Sequence, residues 1–275
     1  MNSRASETVV RLGSGRFMPR VALGVYNARG DVGRQAVRQA LELGYRHVDT
    51  ASIYQNEREV GAGIRGSGVP RDEIFVTTKL WNADQGFNAA LAAFDRSLDE
   101  LGLDYVDLYL MHWPVPDTRH DSWRALEKIS SSGRARAIGV SNFMIKHLEE
   151  LLANCNEPPA VNQIEASPFL QQREVRRICS ANDIVVQAYS PLTRGLRLDN
   201  PVVGAIARSV GRTPAQILLR WGLQHDMVVL PKSVRPDRLA ENLDLFSFAL
   251  SADQIAELGE LEEGLMIGWD PNEWD

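Results

Sequence analysis

Cysteine is nearly absent, with two in 275 residues. Cys155 and Cys179 have neither the C-x-x-C pairing of a redox motif nor the spacing of a zinc site. With no Asn-x-Ser/Thr sequon either, the reading is a reducing, cytoplasmic compartment. No apolar run approaches the ~18 residues that a spanning helix needs, so no membrane role is expected. The stretch Met1 to Glu7 has no apolar core behind Arg4 and does not read as a signal peptide. Charge of one sign is not concentrated anywhere. The 30 basic and 36 acidic residues intermix for a net −6, which leaves no electrostatic case for a nucleic-acid partner. Low-complexity tracts and Pro/Ser-rich linkers are missing too, so residues 1–275 read as a single domain.

What is present is a repeating unit. Short apolar runs rich in Val, Ile and Leu recur at 21–24, 47–49, 74–78, 106–111, 135–140, 160–164, 184–188 and 227–230. Between them lie amphipathic, helix-like segments such as 32–43, 87–101, 144–153, 174–181 and 214–224. Continuous apolar strands alternating with helices imply a parallel sheet covered by helices. Eight such units favour a closed (β/α)₈ TIM barrel over an open doubly wound sheet. Val9 to Gly15 with Phe17 to Pro19 predicts an N-terminal β-hairpin at the barrel bottom, and 252–261 predicts an extra C-terminal helix.

Gly61-Ala62-Gly63-Ile64-Arg65-Gly66 satisfies the letter of the dinucleotide fingerprint but not its context. That motif needs a strand before it and a helix N-terminus after it. Here a polar, helix-like stretch, Asn56 to Val60, precedes it, so close helix packing and a helix stop are expected instead.

Barrel enzymes carry their chemistry at the C-terminal ends of strands. This chain loads that position repeatedly: Asp49 with Tyr54 shortly beyond, Lys79 before Trp81, His112 before Trp113, then Ser141-Asn142, Gln163 with Glu165, Tyr189-Ser190 and Lys232-Ser233. Each has an ordinary explanation. His112 could be a hydrogen-bonded core histidine, Lys79 could snorkel, Asp49 could cap a turn and Tyr54 could be plain packing. Together, however, they would gather an acid, a base, a phenol and an imidazole at one mouth lined by Trp81 and Trp113. A phenol with its ordinary pKa near ~10 is a poor donor at neutral pH. An ammonium within hydrogen-bond reach would lower that pKa, and a carboxylate beside the ammonium would keep it charged. Tyr54 could then protonate a carbonyl oxygen, with His112 fixing its position. Nothing in the set is a nucleophile or a metal site, so the chemistry points to hydride delivery from a cofactor.

These residues sit in motifs that strongly resemble the aldo-keto reductase superfamily. The matches are Gly44-Tyr45-Arg46-His47-Val48-Asp49-Thr50-Ala51 with Tyr54 and Asn56-Glu57, Thr78-Lys79-Leu80-Trp81, and Leu101 to Leu108. They continue through His112-Trp113-Pro114, Ile138 to Phe143, Asn162 to Glu165, Tyr189-Ser190-Pro191-Leu192 and Pro231-Lys232-Ser233-Val234, with Arg238 and Glu241-Asn242. The nearest likeness is to the bacterial group that includes 2,5-diketo-D-gluconate reductases, judged partly by the ending Gly268 to Glu273.

The resemblance implies a cytoplasmic, monomeric, NADPH-dependent reductase of small carbonyl compounds, with Asp49, Tyr54, Lys79 and His112 as its catalytic tetrad. Ser141, Asn142 and Gln163 would hold the nicotinamide carboxamide, and Tyr189 would stack on its ring, with Ser190 and Leu192 close to the cofactor. Lys232, Ser233, Val234 and Arg238 would grip the adenosine 2′-phosphate end, and Glu241 and Asn242 the adenine. A 2′-phosphate demands cations, so Lys232, Arg235 and Arg238 favour NADPH over NADH. Three departures stand out: Tyr26 where many members have tryptophan, Ser167 where histidine is usual, and a short loop from Pro114 to Ser122. A pocket of Tyr26, Trp81, Trp113 and Trp269 would admit varied aldehydes and ketones, although the two tail tryptophans could equally anchor the tail. The alternative is a nucleotide-binding module of the same fold with little turnover, and retention of all four tetrad residues argues against it. A metal-dependent barrel hydrolase lacks ligands here.

Overall fold

The structure, a computed structural model, describes residues 8–13 and 15–274, so the Met1 to Glu7 stretch read above lies outside the described residues. Two short strands, β1 (Val9–Arg11) and β2 (Phe17–Pro19), pair antiparallel with Val9 opposite Pro19. Eight parallel strands follow: β3 (Leu23–Gly24), β4 (His47–Asp49), β5 (Phe75–Leu80), β6 (Leu108–Met111), β7 (Ile138–Ser141), β8 (Val161–Glu165), β9 (Val185–Tyr189) and β10 (Val228–Val229). They pair in chain order. Bridges from Val21 to Val229 and from Gly24 to Lys232 join the first strand to the last. The sheet is thereby closed into the TIM barrel that the eight-unit repeat predicts.

Helices α1 (Gly30–Leu43), α2 (Glu57–Gly66), α3 (Phe87–Leu101), α4 (Arg119–Ser131), α5 (Ile145–Asn154) and α6 (Arg173–Ala181) follow the strands one by one. After β9 there are two, α7 (Pro201–Val210) and α8 (Pro214–Gln224), where only the second was read from the sequence. Each starts on its own signal: Asn200 caps α7 ahead of Pro201, and Thr213 forms a capping box with Gln216 at α8. Past β10 come α9 (Pro236–Leu243) and the extra C-terminal helix α10 (Ala252–Gly259), whose Ser251 and Gln254 make another capping box.

Side-chain parity divides the core in two, because successive strand residues face opposite sides. Val48, Val76, Tyr109 and Ile164 face outward and pack with the helices. Phe75, Leu108, Leu110, Ala137 and Val161 face inward, where Leu12 and Met18 of the hairpin segment close the barrel from below. That is the plug the hairpin reading expects. The Gly-x-Gly decoy lies inside α2. A Cβ on Gly61 would come within 1.8 Å of the Leu101 carbonyl oxygen, and one on Gly63 within 2.7 Å of the Arg34 carbonyl oxygen. These glycines exist for helix contact, and no phosphate cradle is built there.

Candidate active site

The inward parity that fills the barrel also delivers its polar residues. His47 and Asp49 share a face of β4, and Phe75, Thr77 and Lys79 share one of β5. One step past β6, His112 continues the Leu108–Leu110 row. A shift of one residue in any strand would turn its polar end outward. Tyr54 arrives differently, on a single 3₁₀ turn, Ser52–Tyr54, that ends in a left-handed Gln55 at φ 53°. Buried Asn56 pins this loop, donating from Nδ2 to the Val25 and Ala28 carbonyls (both 2.9 Å) and accepting from Thr50 Oγ1 at 2.7 Å.

The four proposed tetrad residues are brought together. Lys79 is fully buried, and its Nζ donates to Asp49 Oδ1 at 2.6 Å and to the Thr50 carbonyl at 2.7 Å. The same ammonium lies 5.2 Å from the centre of the Tyr54 ring. Tyr54 and His112 meet edge-on at 5.9 Å, and Trp81 packs edge-on against the other side of His112 at 5.2 Å. Tyr26, exposed at the rim, covers Tyr54 at 5.1 Å.

One expectation is corrected. The ammonium was expected within hydrogen-bond reach of the phenol, lowering its pKa. Instead, Lys79 spends its hydrogen bonds on Asp49 and Thr50, and no hydrogen bond joins it to the Tyr54 hydroxyl among the described residues. Burial, reinforced by the Asp49 carboxylate, holds the phenol well above its ordinary value. Tyr54 is thus a fully protonated donor. Lys79 is pushed below the ordinary amine range by burial, against the opposing pull of Asp49. His112 is held well below its usual value by burial and then by Lys79, so the ring is neutral. Its Nδ1 is buried without a partner, which leaves the tautomer unfixed by the protein.

Beside the tetrad, the candidate carboxamide residues form one network. Ser141 Oγ donates to the Gln163 carbonyl at 2.9 Å, and Tyr189 Oη donates to Asn142 Oδ1 at 2.8 Å. Asn142 Nδ2 donates to the His112 carbonyl at 3.0 Å, tying this network to the tetrad. Gln163 Nε2 spends one hydrogen on Asp49 Oδ2 and the other on Gln187 Oε1, each at 2.8 Å. Gln163 Oε1 is left without a donor among the described residues, which suits an incoming carboxamide N–H. Asn142 and Ser190, at φ 63° and 48°, adopt left-handed backbone at the ends of β7 and β9, where strain of that kind marks functional positions.

At the candidate phosphate end, Lys232 and Arg238 are exposed and have no carboxylate partner among the described residues, while Ser233 is buried and Val234 and Leu192 are partly buried. Arg235 differs from expectation, since Asp237 takes its guanidinium in a surface ion pair. Glu241 accepts from Thr213 Oγ1 at 2.6 Å and so also fastens α9 to α8, while Asn242 is buried.

Sequence reasoning missed two contributors. Gln187, buried at mid-strand, orients Gln163. Its signal was a single polar residue in an apolar strand. Glu165 was noted but given no role, and its carboxylate accepts from the backbone N–H groups of Ile267 (2.8 Å) and Gly268 (2.9 Å). That fastens the tail over the mouth. Buried Trp113 then packs against both Trp269 (5.6 Å) and Trp274 (5.5 Å).

The model of the aldo/keto reductase family matches residues 31–263. Glyoxal reductase of Bacillus subtilis (strain 168) is 47% identical over 265 residues, covering 96% of this chain and 96% of that protein. Among solved structures, the aldo/keto reductase of Brucella melitensis superposes with a TM-score of 0.90 at 45% identity, over 92% of this chain and 99% of that one. The Bombyx mori aldo-keto reductase, solved in complex with NADP, gives 0.88 at 37% identity over 94% of each chain.

Proposed function

This chain belongs to the aldo/keto reductase family, and from that premise we propose that it reduces aldehydes and ketones to alcohols with NADPH, Tyr54 acting as general acid. The observation that carries the reading is the buried Lys79–Asp49 pair set against the Tyr54 ring, with neutral His112 edge-on to the same ring. NADPH supplies the hydride when bound. The likeness to a silkworm enzyme solved with NADP supports that cofactor, as do the exposed Lys232 and Arg238 and the spare Gln163 Oε1.

His112, as a neutral imidazole, donates a ring N–H to the carbonyl oxygen and orients it. Negative charge then grows on that oxygen, and Tyr54 gives it the hydroxyl proton. Burial keeps the proton on Tyr54 until an alkoxide-like oxygen is there to take it, and Lys79 supplies a fixed positive field beside the ring. Asp49 holds that cation in place. Exposed Tyr26 and Trp269 with partly exposed Trp81 leave an open, aromatic rim suited to small and varied carbonyl compounds, including dicarbonyls of the kind that name the glyoxal reductase relative. Both cysteines are free thiols, which supports a cytoplasmic location, and we assign a single-domain monomer by family likeness.

The test is NADPH consumption with a simple aldehyde. Wild type is active, and Tyr54→Phe, which keeps the ring and loses the proton, falls by about 10² to 10⁴ in kcat. Equal rates would remove Tyr54 from the mechanism. Nucleotide binding without turnover in wild type would establish the module reading instead.

A further inference from the structure

A cavity of about 1090 Å³ opens far from the tetrad. It is bounded by the hairpin segment at Leu12, the first residues of β9, and helices α6 and α10. It therefore lies at the end of β9 opposite Tyr189. Arg11, Arg173, Arg176 and Arg177 all line it.

These arginines are not equivalent. Arg177 pairs with Glu174 at 3.0 Å. Arg173 donates to Gln171 Oε1 and to the Gly259 carbonyl. Arg176 is partly buried and makes one long bond, 3.3 Å, to the Gln171 carbonyl. No carboxylate stands within ion-pair distance of it among the described residues. Burial, with Arg173 adding to it, pushes its guanidinium below the ordinary arginine range, against the pull of Asp226.

Its other neighbours bring no negative charge. Arg176 lies 5.8 Å from the ring of buried Trp221, whose Nε1–H has no acceptor. His225 stacks on that indole at 4.4 Å and also lines the cavity. Of the acids along the walls, Asp183, Asp226 and Glu260, none comes within ion-pair distance of Arg176, and only Asp226 pulls on it from farther off. Asp226 turns its side chain fully to solvent.

A partly buried cation without a counter-charge is costly to keep in a fold. An oxyanion would meet it with two lone pairs in the geometry a guanidinium fork matches. We propose that this cavity is a binding site for a small oxyanion, the phosphate or carboxylate group of a metabolite, held by Arg176 beside Trp221 and His225. The site is separate from the proposed reductase chemistry and stands whether or not that reading holds.

The experiment titrates the full chain with inorganic phosphate by calorimetry, with malonate in parallel to separate a phosphate ligand from a carboxylate one. Lys232→Ala runs alongside, because the candidate cofactor end offers phosphate a second place to bind. Expected is a binding event, distinct from any at the cofactor end, that weakens by at least about tenfold in Arg176→Gln and survives in Lys232→Ala. Hydrogen exchange on the wild type reads the same event without any variant, as anion-dependent protection of α6 and of residues 225–227. Binding lost in Lys232→Ala but kept in Arg176→Gln, or no protection at α6, overturns the proposal.

Discussion

His47 and His112 are both buried, stand two strands apart and occupy opposite ends of the barrel. At the N-terminal end, His47 uses both ring nitrogens, one with the Pro19 carbonyl at 3.1 Å and one with Thr77 Oγ1 at 3.0 Å. At the C-terminal end, His112 has a buried Nδ1 with no partner. The carboxylates repeat the contrast. Asp107, below, is saturated by Arg71, Arg136 and the Val76 N–H, while Tyr105 is sandwiched between those same two guanidinium groups. Asp49, above, holds a lysine that is itself pressed against a phenol. Burial alone therefore does not mark function in this barrel. The unpartnered His112 nitrogen beside the Tyr54 ring is the sharper sign there, although single orphaned atoms such as Arg71 Nε, Tyr109 Oη and Trp221 Nε1 also occur elsewhere in the barrel wall.

The sharpest way to test the contrast is Lys79→Met. Removing one member of a buried pair leaves Asp49 uncompensated, at a cost of roughly 3 to 5 kcal/mol in stability. Activity falls with it, by about a hundredfold or more once the Tyr54 proton loses its neighbouring charge. The double variant Lys79→Met/Asp49→Asn separates the two effects. Stability returns towards wild type in urea unfolding, and turnover does not. Recovery of turnover would make the pair a packing feature like those below.

A smaller effect tests the lower end. Burial holds His47 down to about 4, although the Pro19 carbonyl and nearby acids oppose the shift. The folded value lies below the unfolded value of about 6.5, so the unfolded chain takes up the extra proton first. Stability is then complete above about pH 6.5 and declines as pH falls towards 4, by about 3 kcal/mol in all. His112 adds to that decline in the same direction. His47→Gln can keep both hydrogen bonds without titrating, so its unfolding midpoint loses less on acidification than the wild type's. An identical acid profile would show that His47 does not govern it. Asp107→Asn is milder still: it weakens charge-assisted bonds at a cost of roughly 1.5 to 3 kcal/mol, with kcat per folded molecule unchanged.

The sequence made some of this contrast legible and hid the rest, for physical reasons. Strand parity is a short-range property, so an acid, a lysine and a histidine at the ends of three apolar runs could be placed at one mouth before any coordinates. The same logic exposed Gly61 and Gly63 as packing glycines, because their flanks were helical. Distances between strands are not local. Nothing in the run Thr78-Lys79-Leu80 says that the ammonium turns to Asp49 and the Thr50 carbonyl instead of the phenolic oxygen. Arg235 read as a free cation because its capture by Asp237, two residues on, depends on rotamers. The Glu165 clamp on the tail spans about a hundred residues, and an acid at a strand end gives no hint of which backbone it will hold.

The tail is where the smallest effect is expected, and where function and anchoring can be told apart. Trp113 is buried between Trp269 and Trp274, but Trp269 itself is 60% exposed. An aromatic contact of that kind contributes about 0.5 to 1.5 kcal/mol beyond its burial. If Trp269 only anchored the tail, Trp269→Ala would lower stability by that much and leave every substrate alike. If it lines the rim opposite Tyr26, the loss falls on binding of the bulkier carbonyl compounds. Their KM then rises by roughly two- to tenfold, with kcat and the KM for a two-carbon aldehyde unchanged. The structure favours the second outcome, because Glu165 already fixes the tail through the N–H groups of Ile267 and Gly268, next to Trp269. A uniform rise in KM across small and large aldehydes would return Trp269 to the anchoring role and leave the rim to Tyr26 and Trp81.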